Sequence, residues 1–164
     1  MNRRLLVLAL ALLAPACVTP ELVELTTRGP KAQELFVARS VVVNNREPNF
    51  EEKIAFEDAS DGRVARYLRE HPEIQQTERY TTFRFWKQVS IGSTRDEVRA
   101  LIEDPLEQTI DSARMAVLAE RHWTTIRDKV KEAWVYLPGW VIYFDDTGVV
   151  QMTRRVSARG PLDE

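Results

Sequence analysis

The sequence predicts an α+β domain in which helices pack on one face of a three-stranded antiparallel β-meander, behind a cleaved N-terminal signal. Three observations carry that expectation. From Glu132 to Arg154 (EAWVYLPGWVIYFDDTGVVQMTR), two runs rich in Val, Ile, Tyr, Phe and Trp are parted by Pro138-Gly139, and Asp145-Asp146-Thr147-Gly148 precedes a third run, Val149 to Thr153. Between Asn49 and Val130 the apolar residues instead recur at helical spacing. At the start, Arg3 and Arg4 precede an apolar run, Leu5 to Leu13, that is too short to span a bilayer and is followed by the small residues Ala14-Pro15-Ala16.

Residues 1–16 therefore read as an export signal. Cys17, the only cysteine among 164 residues, follows directly, and an exported chain with one cysteine forms no internal disulfide. Leu13 to Cys17 resembles the bacterial lipobox, in which small residues precede a cysteine that receives palmitate-type acyl chains and becomes the mature N-terminus. Ala14-Pro15-Ala16 equally suits an ordinary signal peptidase that leaves a free thiol. Without Arg3 and Arg4 the 23 bases become 21 against 25 acids, a net charge near −4 that argues against a nucleic-acid partner. The composition of 17–30, with Thr, Pro, Glu, Arg and Gly among scattered apolar residues, predicts a flexible tether, and 31–156 a single domain.

In chain order, 31–47 reads either as a helix from Lys31 or as an edge strand at Val41-Val42-Val43. Asn49 with Glu52 forms a capping-box signature for a helix that breaks at Gly62 or runs to His71-Pro72. Pro72 suits the first turn of a second helix reaching Trp86. Val89 to Gly92 is extended, and Thr94 with Glu97 caps a helix that Asp104-Pro105 stops. A longer helix over about 112–130 buries Met115, Leu118, Ala119, Trp123, Ile126 and Val130. In the meander, pairing Leu137 with Trp140 puts Ala133, Val135, Leu137, Trp140, Ile142 and Phe144 on one face and Trp134, Tyr136, Val141 and Tyr143 on the other. The tail, 157–164, reads as disordered.

Little of this suggests catalysis. Two histidines supply no recognisable metal or haem site: His71 reads as a helix-end residue and His122 lies beside an apolar stripe. Asp145 and Asp146 suit turn chemistry better than an acid pair, and Ser93 lacks the flanks of a nucleophile elbow. No phosphate loop or dinucleotide fingerprint is present. The expectation is a non-enzymatic protein with no cofactor and no metal.

His71-Pro72-Glu73-Ile74, Val89-Ser90-Ile91-Gly92-Ser93-Thr94 leading to Glu97-Val98, Pro105, Trp134-Val135-Tyr136, Ile142-Tyr143-Phe144-Asp145 and Gly148-Val149-Val150 together resemble the SmpA/OmlA family. These are small outer-membrane lipoproteins, the BamE-like component of the outer-membrane protein assembly machinery. The resemblance covers about 71–155, with the helix at about 112–130 as an insertion. Ser93 replaces the family's methionine, and Glu103 its helix-ending glycine. It implies a chain held in the outer membrane by lipid on Cys17, facing the periplasm, that binds or steadies an envelope protein, with Trp134, Tyr136 and Tyr143 as the aromatic contact face. The inserted helix, through Trp123 and Ile126, is the alternative cover for that face. Other expectations are a periplasmic inhibitor or small-ligand module and, as a different class, a cell-envelope enzyme.

Overall fold

In the computed structural model, which describes residues 21–157, the meander is the centre of a five-stranded antiparallel sheet. The signal, Cys17 and the tail after Ser157 lie outside the described residues. Strands β1 (Glu21–Thr26) and β2 (Arg28–Lys31) come first, then helices α1 (Ala32–Asn44) and α2 (Phe50–Glu70), then β3 (Gln88–Ser90) and α3 (Arg95–Ile102). β4 (Glu107–Thr109), α4 (Ser112–Ala119) and α5 (Trp123–Ile126) follow, and β5 (Glu132–Tyr136), β6 (Trp140–Phe144) and β7 (Val149–Ser157) close the chain. The large sheet has the order β1-β7-β6-β5-β4, and β2 pairs with β3 separately.

Local signals produce most of these boundaries. The Asn49 side chain accepts from the Glu52 amide at 2.9 Å while Glu52 accepts from the Asn49 amide at 2.8 Å, so two orphan donors at the start of α2 are satisfied reciprocally. Thr94 and Glu97 do the same for α3. At the β6–β7 turn, Asp145 Oδ1 accepts from the amides of Thr147 and Gly148 and from the Thr147 hydroxyl, the turn role its sequence predicts. These bonds, the one from the Gly148 amide most of all, hold the Asp145 carboxyl below its ordinary pKa.

Several expectations are corrected. The stretch expected as a tether is strand from Glu21 onward: Val23 is buried and Leu25 packs with the core beside Tyr143, because β7 offers a free edge and alternate apolar residues of β1 fit it. α2 passes through Gly62 without a break. The helix expected from Pro72 to Trp86 is instead a 3-10 turn at Pro72–Gln76 and a π-helical turn at Thr82–Trp86. Thr77 donates its hydroxyl back to the Ile74 carbonyl at 2.8 Å, an alternative to the helical ladder that closes the first turn. The long helix expected over 112–130 ends at Ala119, where Glu120 takes a positive φ of 50°, and resumes only for the single turn of α5.

The meander register also differs, with larger consequences. Its first turn has three residues, Leu137, Pro138 and Gly139, so Tyr136 rather than Leu137 faces Trp140. Gly139 sits at φ 98°, and a Cβ there would lie 2.8 Å from that of Arg155, so the turn requires glycine. A shift of one residue in one strand moves its whole apolar set to the other face. Trp134 and Tyr136 thereby join Trp140, Ile142, Phe144 and Met152 against α1, α2 and α3. Ala133, Val141 and Tyr143 face Met115, Ala119, Ile126 and Val130 instead. Helices therefore cover both faces of the sheet, not one.

Candidate functional site

The aromatic contact face does not exist as a surface. Trp134, Tyr136 and Tyr143 are 0, 2 and 0% exposed, and they point to opposite sides of the sheet. Each aromatic removes about 200 Å² from water, worth about 5 kcal/mol, so a chain with helices to spare covers both sides. The polar atoms of Trp134 and Tyr136 are engaged inward as well, whereas the buried Tyr143 hydroxyl has no partner. Trp134 Nε1 donates to Glu132 at 2.6 Å, and Glu132 also holds Arg95 at 2.7 Å. The Tyr136 hydroxyl donates to the Glu103 carbonyl at 3.1 Å. Burial pushes Tyr136 well above the ordinary phenol range and Tyr143 up to about 12.

What remains available lies at the sheet edges. On the β1 side, the Val23 carbonyl is occupied from outside by His122 Nε2 at 2.9 Å, with the Arg121 guanidinium at 3.4 Å. The 3-10 turn at Glu120–His122, which follows the positive-φ break at Glu120, delivers both side chains there. That edge is blunted. On the other side, no described strand pairs with the outer side of β4. Leu106 and Ile110 flank this strand and are 63 and 80% exposed. Arg114 on α4 clasps Glu107 through two 2.7 Å bonds, which lowers the Glu107 pKa. Val117, one turn after Arg114 on α4, is also exposed.

A second concave feature lies between α1, α2 and the end of α3. Ala32, Leu35, Phe36, Phe56, Leu101 and Ile102 line a cavity of about 250 Å³ with Arg39, Arg63 and Glu103 at its mouth. Glu103 bridges the two guanidiniums, at 3.1 Å to Arg39 and 3.3 Å to Arg63, from a backbone at φ 65°. Arg63 Nη2 is buried with no hydrogen-bond partner.

Neither feature was read from the sequence. Leu106-Glu107-Gln108-Thr109-Ile110, apolar at both ends between Pro105 and Asp111, carried a weak strand signal. The Arg39, Arg63 and Glu103 cluster draws on three distant segments and carried none. Among the described residues, no group of three or more His, Cys, Asp or Glu is placed to hold a metal, and no helix is long and apolar enough to cross a membrane. Comparison with protein-family profiles, curated proteins and solved structures finds no match.

Proposed function

We propose that this chain is a non-enzymatic, lipid-anchored envelope protein that binds a protein partner by strand addition along β4. The observation that carries the reading is the contrast between the two sheet edges. At one, His122 and Arg121 take up the Val23 carbonyl, whereas the other is open and bordered by exposed Leu106 and Ile110. An open edge supplies main-chain hydrogen bonds and apolar flanks supply side-chain pockets, the two ingredients of strand addition. The partner is an extended segment with alternate apolar residues. Acylation of Cys17 after an export signal would anchor the protein in a membrane, and the SmpA/OmlA resemblance suggests the outer membrane, facing the periplasm, with a role in outer-membrane protein assembly.

Crosslinking in intact membranes followed by mass spectrometry tests the binding role. A specific envelope neighbour joined near 106–117 is expected, and the absence of any specific neighbour contradicts it. The anchor has a separate test. The intact mass of membrane-extracted protein should show acyl chains on Cys17, and Cys17→Ser should release it from membranes.

A second reading rests on the unpartnered Arg63 Nη2. The cavity suits a small ligand with an apolar body and an anionic group, which would displace Glu103 from Arg39 and Arg63. Titration of the purified chain with medium-chain fatty acids checks it, and Arg63→Gln should abolish any binding seen.

A further inference from the structure

The strand at Glu21 changes where an anchored domain must sit. Only Val18, Thr19 and Pro20 separate Cys17 from β1. Whatever their conformation, the four steps from Cys17 to Glu21 span no more than about 14 Å. The Glu21 end of the sheet is therefore held against any bilayer that holds Cys17.

Register and contacts show what else occupies that end. Glu21 pairs with Ser157 and Val23 with Arg155, whose amide donates to Gly139 in the β5–β6 turn at 2.9 Å. Gln33, Glu34, Val37 and Ala38 of α1 border Pro138 and Trp140 at the same turn. Glu103, just past α3, is held there by Tyr136 at the end of β5. α2 runs antiparallel to α3, since Tyr67 meets Thr94 at the start of α3 and Arg63 meets Ala100 and Glu103 at its end. The part of α2 from Phe50 to Arg63, about 20 Å of helix, thus runs on past α3 at that end. Phe36 stacks on Phe56 at 4.2 Å and binds α1 to it as a hairpin.

The loop that joins the two helices, Asn45 to Asn49, is polar, but the helix ends on either side of it carry exposed apolar residues. Val42, Val43 and Phe50 are exposed by 59, 71 and 76%, with Ile54 one turn further along the same face. The tip has no basic excess: Arg46 is engaged by Glu52 at 2.6 Å, and Glu47 and Glu51 stand nearby against Lys53. Attraction to anionic headgroups is therefore not the driving force, and apolar insertion into the interface is. A short tether also keeps the local concentration of the tip at the surface high, so that a weak contact suffices.

We propose that the α1–α2 hairpin tip is a lipid-contacting foot, with Val42, Val43 and Phe50 entering the headgroup region of the bilayer that holds Cys17. This rests on the anchored reading of Cys17. The test makes the anchor chemically. The chain from Cys17 to Glu164, which contains every described residue, is coupled through its single thiol to maleimide-bearing lipid in phosphatidylcholine vesicles, and hydrogen exchange is compared with the uncoupled chain. Exchange across 41–54 is expected to slow about tenfold on coupling. Adding phosphatidylglycerol should not increase the effect, and Val43→Ser with Phe50→Ser should remove it while exchange in β5–β7 stays unchanged. No slowing on coupling overturns the proposal. So does slowing that appears in the uncoupled chain as its concentration rises, which would make the tip a contact between copies. Because the coupling is synthetic, these outcomes are independent of whether cells acylate Cys17, which the intact mass decides.

Discussion

Two residues, one buried and one exposed, each bear a local cost that the rest of the fold tolerates. The Tyr143 hydroxyl is buried, and the neighbouring Thr153 makes no hydrogen bond of good geometry with it. A buried hydroxyl without a partner costs about 1–3 kcal/mol, so Tyr143→Phe should be neutral or stabilise by about 1 kcal/mol in urea denaturation. Marked destabilisation would mean that the hydroxyl is satisfied. Glu103 occupies φ 65° and ψ −163°, a region that glycine enters freely and other residues enter at about 1–3 kcal/mol. Its ion pairs with Arg39 and Arg63 are half exposed and worth little. Glu103→Gly should therefore raise stability by about 1 kcal/mol. A loss of similar size would show that the bridge between the two guanidiniums outweighs the strain.

At the scale of elements, the caps and turns that depend on residues two to four apart were mostly legible in the sequence, although the turn that Thr77 closes on Ile74 was not. The caps at Asn49 and Thr94, the helix end at His71 and the Asp145–Gly148 turn are settled by neighbours, so reading the chain locally suffices. β1 was not legible because its partner lies about 130 positions away, at Arg154 opposite Glu24, and its composition alone resembles a linker. The register of β5 against β6 was missed for a different reason. Pro138-Gly139 permits a two-residue or a three-residue turn, and only packing on both faces selects the longer one. The break at Glu120 was invisible, since nothing in a glutamate announces a positive φ. The open β4 edge carried only a faint signal, and the partner face assigned to Trp134, Tyr136 and Tyr143 followed from the mistaken register.

The α2 cap gives a prediction at this scale. Glu52 is held down to about 2 by Arg46 first and by the Asn49 amide second. Its folded value lies below the ordinary carboxylate value, so its contribution is fully present above about pH 4.5 and is lost as pH falls toward 2. Helical circular dichroism and hydrogen exchange at 49–54 should report fraying of the start of α2 over that window. Glu52→Gln should flatten the dependence, and an unchanged acid profile in that variant would refute the assignment.

For the whole molecule, the sheet is a divider with helices on both faces, and its two edges are treated differently. Arg95, drawn to Glu132 at 2.7 Å with its guanidinium 4.8 Å from the Phe144 ring, locks α3 to one face. Tyr143 and its neighbours hold α4 and α5 to the other. With both faces filled, the features that stay accessible are the unpaired β4 edge, the end of the α1–α2 hairpin and the cavity beside Arg39 and Arg63. The most direct measurement of the central claim places a photoreactive side chain at Ile110 beside the open edge, or at Glu24 on the closed one, in otherwise identical chains in their native membranes. The open edge predicts a discrete crosslinked envelope protein from Ile110 and none from Glu24, with the Ile110 product lost when Gln108→Pro is introduced into the strand. Equal products from both positions, or none from Ile110, would contradict strand addition at β4.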